Sequence, residues 1–288
     1  MRTLTDKLGA PTSLADFERK AQLLNYETHR AIFEGFNAQL WSKNSGRLLW
    51  MSHPAWPSNM WQVYSHDYDT HAAYYGVRNA AETLHVQMNL PGHEVMVVNN
   101  AATAVRGLRV RAQVYANDGR LLQQREQALD AAAVAVLAPV LQLAPLLKDT
   151  NGLGFVRLQL LDRDAVVRSR NFYWVARDAV AMRGLEALAK VPLQLTTQVQ
   201  QGNEEAVLRA TVRNPSQQVA LNTKLTLVDG QGQRILPAYY SDNYLSLVPG
   251  EERVVEIRGP SADTLRNATL QLRGWNAEPS TGVANGSP

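Results

Sequence analysis

Apolar residues recur with two different periods along this chain. Over its first part Leu14, Phe17, Ala21, Leu24, Ala31 and Phe36 follow near-helical spacing. Ser13 with Asp16 makes a capping-box pattern that satisfies otherwise orphan amide donors. Together they predict a helix over 14–40 whose apolar face packs on a neighbour, with Glu18, Glu27 and Glu34 as solvated helix carboxylates. After glycine and Asn44, the stretch Arg47 to Met51 reads as a short, largely apolar strand of the kind buried on both faces of a parallel sheet. One helix and one strand cannot close a core, because a parallel strand needs parallel neighbours and covering helices. The start of the chain therefore reads as part of a larger domain.

From about residue 85 the period falls to two. Leu108, Val110, Ala112 and Val114 alternate with Arg109, Arg111, Gln113 and Tyr115, and the run meets Asn117-Asp118-Gly119, a hairpin signal. Val156, Leu158 and Leu160 repeat the alternation, and Val95–Val98 and Phe172–Val175 add further short strands. The spacing predicts an immunoglobulin-like sandwich over 76–180. Within it the apolar run 131–147 is broken by two prolines, which favours strand plus loop over helix. After a linker helix or turn near Met182–Ala189, alternation returns at Leu193 and Leu195, Leu208 to Val212, Leu225 and Leu227, Val254 to Ile257, and Leu270 and Leu272. These predict a second sandwich over 181–276. Residues 277–288 carry almost nothing to bury and read as a disordered tail.

Composition narrows the function classes. A chain of 288 residues is long enough for two or three cores, and 45% hydrophobic with 19% charged residues is ordinary globular material. No apolar run approaches the roughly 20 residues that cross a bilayer, so no membrane partner is expected. The net charge of +3 is small, and the arginines alternate with apolar residues instead of forming a basic stripe, which argues against nucleic acid. The absence of cysteine excludes disulfides, thiolate nucleophiles and zinc–thiolate sites. The first residues, MRTLTDKLGAPTS, lack the apolar core of a signal peptide, and location is left open.

Candidate chemistry gathers early. All six histidines precede residue 94, and four of six tryptophans lie between 41 and 61. His66, Asp67, Asp69 and His71 match no motif of known ligand geometry and read as a polar loop, so no metal is expected. No cofactor is expected either, since no phosphate loop, serine elbow or paired-carboxylate motif stands out. Trp50, His53 and Trp56 differ, because they follow one another across the C-terminal end of the predicted parallel strand, the end that faces the active site in α/β barrels. Both indoles could instead be core. If the ligand is a sugar, its apolar C–H face covers an indole while imidazole reaches its hydroxyls.

The stretch LLWMSHPAWPSNMWQVYSHDYDTHAAYYGVRNAAETLHVQMNL, then VMVVNNAATAVRGLRVRAQVYANDG, RNFYWVA, YYSDNYLSLVPGEERVVEIRG and the closing GWN resemble glycoside hydrolase family 2. The branch is that of exo-β-D-glucosaminidases and plant-type mannosylglycoprotein endo-β-mannosidases, and the likeness runs from about residue 9 to 276. It implies a mainly β fold: the last helix–strand portion of a (β/α)8 barrel over 1–75, followed by two immunoglobulin-like β-sandwich domains. It also implies a retaining β-glycosidase with an acid/base and a nucleophilic glutamate about 5 to 5.5 Å apart. In the family both glutamates precede the portion matched here. The expectation is thus a C-terminal fragment with no catalytic residue of its own, an oligosaccharide or glycan as substrate, and the missing N-terminal part of the same enzyme as partner, from a parent that is periplasmic or secreted. Trp50, His53 and Trp56 match the strand lining one wall of the sugar subsite. His53 stands where exo-glucosaminidases more often have Asn, so mannosides and glucosaminides both remain open. The competing expectation is a non-enzymatic pair of sandwiches serving carbohydrate binding, adhesion or scaffolding.

Overall fold

The computed structural model describes residues 2–58, 62–201, 206–283 and 285–286; Trp61, part of the aromatic cluster in the sequence, lies outside them. The protein is mainly β, with 41% strand and 22% helix. It divides into two compact units, one of residues 1–50 and 76–187 and the other of 51–75 and 188–288. Residues 1–75 are shared between the two units, 1–50 in one and 51–75 in the other. The reason is physical: a single helix and its trailing segment have too little apolar surface for a core and join whichever sandwich can cover them.

The first unit holds α1 (Arg2–Leu8), α2 (Leu14–Asn37), the part of α3 (Ala72–Ala80) from Gly76 onward, and seven strands. Ser13 caps α2, its hydroxyl accepting from the Asp16 N–H. The strands are β1 (Leu84–Met88), β2 (Glu94–Asn99), β3 (Val105–Ala116), β4 (Leu121–Ala131), β5 (Ala135–Gln142), β6 (Leu153–Leu161) and β7 (Val167–Ala176). They form sheets ordered β1-β2-β5 and β4-β3-β6-β7, antiparallel throughout. The even-numbered stripe read from the sequence is the core stripe: Leu108, Val110, Ala112 and Val114 of β3 pack with Val156, Leu158 and Leu160 of β6 against Val86, Met88, Val95 and Val97. Gly119 closes the β3–β4 hairpin at φ +84, in the left-handed region that the turn requires. Pro139 sits inside β5, whose pairing with β2 is irregular between Val95 and Val97. An edge strand tolerates this because one of its sides has no ladder to break.

After β7 come the short helix α4 (Ala179–Met182), capped by Asp178, and a 3-10 turn over Arg183–Ala187. The second unit is a sandwich of two further sheets. Its strands are β8 (Gln194–Gln201), β9 (Ala206–Arg213), β10 (Ala220–Val228), β11 (Tyr239–Tyr240), β12 (Leu245–Leu247), β13 (Glu252–Arg258), β14 (Thr269–Arg273), β15 (Ser280–Val283) and β16 (Asn285–Gly286), with the short α5 (Ala262–Arg266) before β14. The orders are β12-β10-β14-β15 and β11-β13-β9-β8-β16. Leu208, Ala210 and Val212 face Leu225, Leu227, Leu270 and Leu272 across the core. Buried asparagines complete the backbone pairing at its ends. The Asn276 amide accepts from the Leu221 N–H at 2.9 Å and donates to the carbonyls of Val219 and Ala189. Asn243 both accepts from and donates to the backbone of Leu225.

The C-terminal residues correct an expectation. Residues 280–283 form β15, which pairs with β14 from Thr269↔Val283 to Leu272↔Ser280. Val283 remains exposed, so backbone pairing to an open sheet edge orders this strand, a drive that hydrophobic patterning does not report.

Candidate functional site

The helix α2 buries a different face from the one its apolar residues mark. Leu14 is 82% exposed and Phe36 is also exposed, whereas Lys20, Leu23, Arg30, Glu34 and Asn37 are buried. With Glu27, whose Oε2 is inaccessible, these positions run at steps of three and four, an unbroken helical stripe that is almost wholly polar. Glu34, expected in solvent, accepts from the Tyr173 hydroxyl at 2.9 Å and from the Asn171 amide at 2.5 Å. The Arg30 guanidinium lies 4.0 Å from the centre of the Tyr173 ring, donates to the Phe172 carbonyl, and comes within 3.7 Å of Glu34. Burial works against the charge on Arg30, yet Glu34 leads the groups that outweigh it and raise its pKa. Burial drives the Glu27 carboxyl upward, with Arg30 and Lys7 opposing. Burial likewise raises the Tyr173 phenol well above its ordinary value, helped by the adjacent Glu34. A polar helix face can be buried here because neighbouring elements supply partners for many of its groups: Gln87 of β1 donates to the Glu34 carbonyl at 2.9 Å, and Asn37 donates to the Ala80 carbonyl at the end of α3 at 2.8 Å.

The segment 47–51, predicted as a buried strand, is not one. Leu48 is 100% exposed and no strand forms there. A parallel strand requires hydrogen-bonding neighbours on its edges, and among the described residues none pairs with it. What fixes it is Arg47, which donates to the Asn37 side chain at 2.8 Å and to the Ala80 carbonyl at 3.2 Å, and lies over the Phe33 ring at 4.6 Å. Trp50, the last residue of the first segment of this unit, is 79% exposed.

His53 and Trp56 belong to the second unit. There the Val63 and Tyr64 amides donate to the Ser52 carbonyl, both at 3.1 Å, pinning the segment at its start. The His53 ring stacks on Tyr68 with centroids 4.4 Å apart, and its Nε2 contacts the His66 carbonyl at 3.3 Å. Trp56 is 69% exposed. Of the three residues singled out by sequence, the tryptophans therefore present their indoles to solvent, and neither is a core residue. The polar loop after them is clamped: Arg234 reaches Asp67 at 2.6 Å and Asp69 at 2.9 Å, with Lys224 at 3.6 Å from Asp69. Burial pushes the Asp67 carboxyl up, but the Ser65 hydroxyl, the Asp69 N–H and Arg234 outweigh it and hold it below the usual range. Both carboxylates thus serve an ion-paired loop. The sequence missed the Glu34 cluster, although positions 20, 23, 27, 30, 34 and 37 keep the most regular spacing on the helix.

Comparison with known proteins places this arrangement. The exo-β-D-glucosaminidase Ig-fold domain matches residues 171–277, which takes in most of β7 and then the second sandwich to its buried Trp275 and Asn276. The exo-β-D-glucosaminidase of Streptomyces avermitilis is 31% identical over 96% of this chain and 34% of its own length. The mannosylglycoprotein endo-β-mannosidase of Lilium longiflorum is 28% identical over 93% of this chain and 34% of its own. The chain thus spans about a third of the length of these relatives. The Amycolatopsis orientalis exo-chitosanase CsxA superposes with a TM-score of 0.91 at 27% identity, covering 98% of this chain and 36% of that one. The β-D-mannosidase of Dictyoglomus thermophilum, at 18% identity and a TM-score of 0.74, shares the fold. Over most of its length, then, this chain is homologous to the exo-β-D-glucosaminidases and β-mannosidases of glycoside hydrolase family 2 and carries the immunoglobulin-fold domain of the former.

Proposed function

We propose that this chain is the C-terminal part of a retaining glycosidase that cleaves β-linked glucosaminides or mannosides, and that its share of the work is sugar recognition and support. In this reading residues 1–75 complete a catalytic barrel, and the acid/base and nucleophilic glutamates belong to a preceding part of the same enzyme. Trp50, His53 and Trp56 contact the sugar. The observation that carries the reading is the exposure of Trp50 and Trp56, next to residues Arg47 and Ser52 that are tied down by hydrogen bonds. An indole left in water forgoes burial worth roughly 1.5–3 kcal/mol for a large apolar side chain, and a pyranose C–H face is a fitting cover for it. The stacking of His53 on Tyr68 fixes the imidazole edge that would meet a hydroxyl. The relatives act on a glucosaminide or a mannoside by name, and the choice between them is carried by the same residues.

The test has two readouts. Assayed alone with p-nitrophenyl β-glucosaminide and β-mannoside, the chain is expected to show no turnover above buffer, because no acid/nucleophile pair is assigned to it. Titrated with glucosamine and mannose oligomers, its tryptophan fluorescence is expected to change, and the response to shrink in Trp50→Ala and Trp56→Ala. Turnover lost on replacing a carboxylate of this chain would overturn the assignment of the catalysts, and fluorescence indifferent to every oligomer would remove the sugar contact.

A further inference from the structure

His85 of β1 has no exposed surface and stands between two carboxylates. Its Nδ1 lies 3.0 Å from Glu82 Oε2 and its Nε2 lies 3.4 Å from Glu34 Oε1. A carboxylate only accepts, so both contacts are hydrogen bonds only when both ring nitrogens carry protons. A neutral ring would turn one lone pair toward a buried carboxylate oxygen. The groups facing His85 come from three elements: Glu34 from α2, with Arg30 and Glu27 behind it; Glu82 from the turn after α3; and Tyr173 from β7, whose hydroxyl binds the same Glu34 oxygen. Ser169 of β7 donates to Glu82 Oε2 at 2.6 Å. Arg30 and a charged His85 stand against the carboxyls of Glu34 and Glu82, and loss of the imidazolium proton removes one of the two cations that face them.

We propose that the imidazolium of His85 is a pH-sensitive bolt that fastens helix α2 to the first sandwich. Burial opposes its charge, but hydrogen bonds donated to Glu34 and Glu82 and the charges of those carboxylates outweigh that and raise the pKa above the ordinary histidine value. The sign follows. A histidine whose folded pKa is raised contributes stability that is fully present below the unfolded value, about 6.5, and is lost as pH rises through the folded value. The helix therefore loosens on the alkaline side, the opposite of the acid release usual for structures held by carboxylate pairs. This inference concerns α2 and the sandwich and stands apart from the sugar-binding reading.

Native-state hydrogen exchange on the full chain between pH 6 and 9, with imidazole NMR, tests it. The His85 ring is expected to titrate above the ordinary histidine value of about 6.5. Protection factors of the α2 amides are expected to fall from about pH 6.5 by up to about tenfold per pH unit, the limit for one proton, and to level off above the folded pKa, while those of β9 and β10 stay level. His85→Gln should lower α2 protection at pH 6 and abolish its alkaline fall. Glu82→Gln, which removes the more exposed carboxylate, should lower the folded His85 pKa, so that the fall ends at lower pH and is smaller, even if His85→Gln does not fold. A ring that titrates at or below 6.5, or an alkaline fall that persists in His85→Gln, would overturn the proposal.

Discussion

Replacing Arg30 by Met asks whether α2 is held by charge. The side chain is fully buried, 4.0 Å from the Tyr173 ring and 3.7 Å from Glu34. Met fills much of the same volume and its thioether packs favourably on an aromatic ring, so packing changes little. The charge does not survive, and Glu34 is left buried with His85 as its remaining cationic neighbour. Breaking a buried pair by removing one partner costs about 3–5 kcal/mol, and a desolvated cation–π contact accounts for about 2 kcal/mol of interaction within such a site. For a unit of this size roughly 2–4 °C of melting temperature follows each kcal/mol, which puts the expected fall at about 6–20 °C. Adding Glu34→Gln removes the stranded charge while keeping an acceptor for Tyr173, so the double variant should recover about 1–3 kcal/mol relative to additivity. Urea melts followed by circular dichroism measure the free energies, and hydrogen exchange in β1 and β7 assigns the transition to the first unit. A loss under about 1 kcal/mol, or single-variant losses that sum to the double-variant loss, would refute the account of Arg30 and Glu34 as a coupled buried pair.

Two further outcomes follow from close contacts. A Cβ built on Gly76 would lie 2.4 Å from the Tyr26 carbonyl oxygen of α2, so Gly76→Ala should force the helices apart and cost about 1–3 kcal/mol, read as a lowered melting temperature of the first unit. Arg234→Ala should free the loop around Asp67 and Asp69 at a cost of about 1 kcal/mol, since the guanidinium is half exposed. In the parent the Asp67 contribution, with a depressed folded pKa, is present above the unfolded carboxylate value of about 3.9 and lost as pH falls through the folded one. That acid-side dependence should weaken in Arg234→Ala when unfolding is followed between pH 2 and 6.

Alternation alone determined both sandwiches. At Leu108 to Val114 and at Leu208 to Val212 a period of two leaves one arrangement that hides every apolar residue, and the strands have it. The hairpin at Asn117-Asp118-Gly119 was equally legible, because its chemistry is local. The tryptophans at 50 and 56 could be named from sequence but not placed, since exposure depends on what the fold brings near them. The tertiary structure decided the face of α2. Hydrophobic spacing pointed to Leu14 and Phe36, yet the helix turned Arg30, Glu34 and Asn37 inward, because His85, Gln87, Asn171 and Tyr173, 50 to 141 residues away along the chain, supply partners that a helix pattern cannot reveal. The same holds for residues 280–283, whose order comes from an open strand edge. Side-chain periodicity records what each residue avoids in water, and only the assembled chain shows which polar groups have found one another.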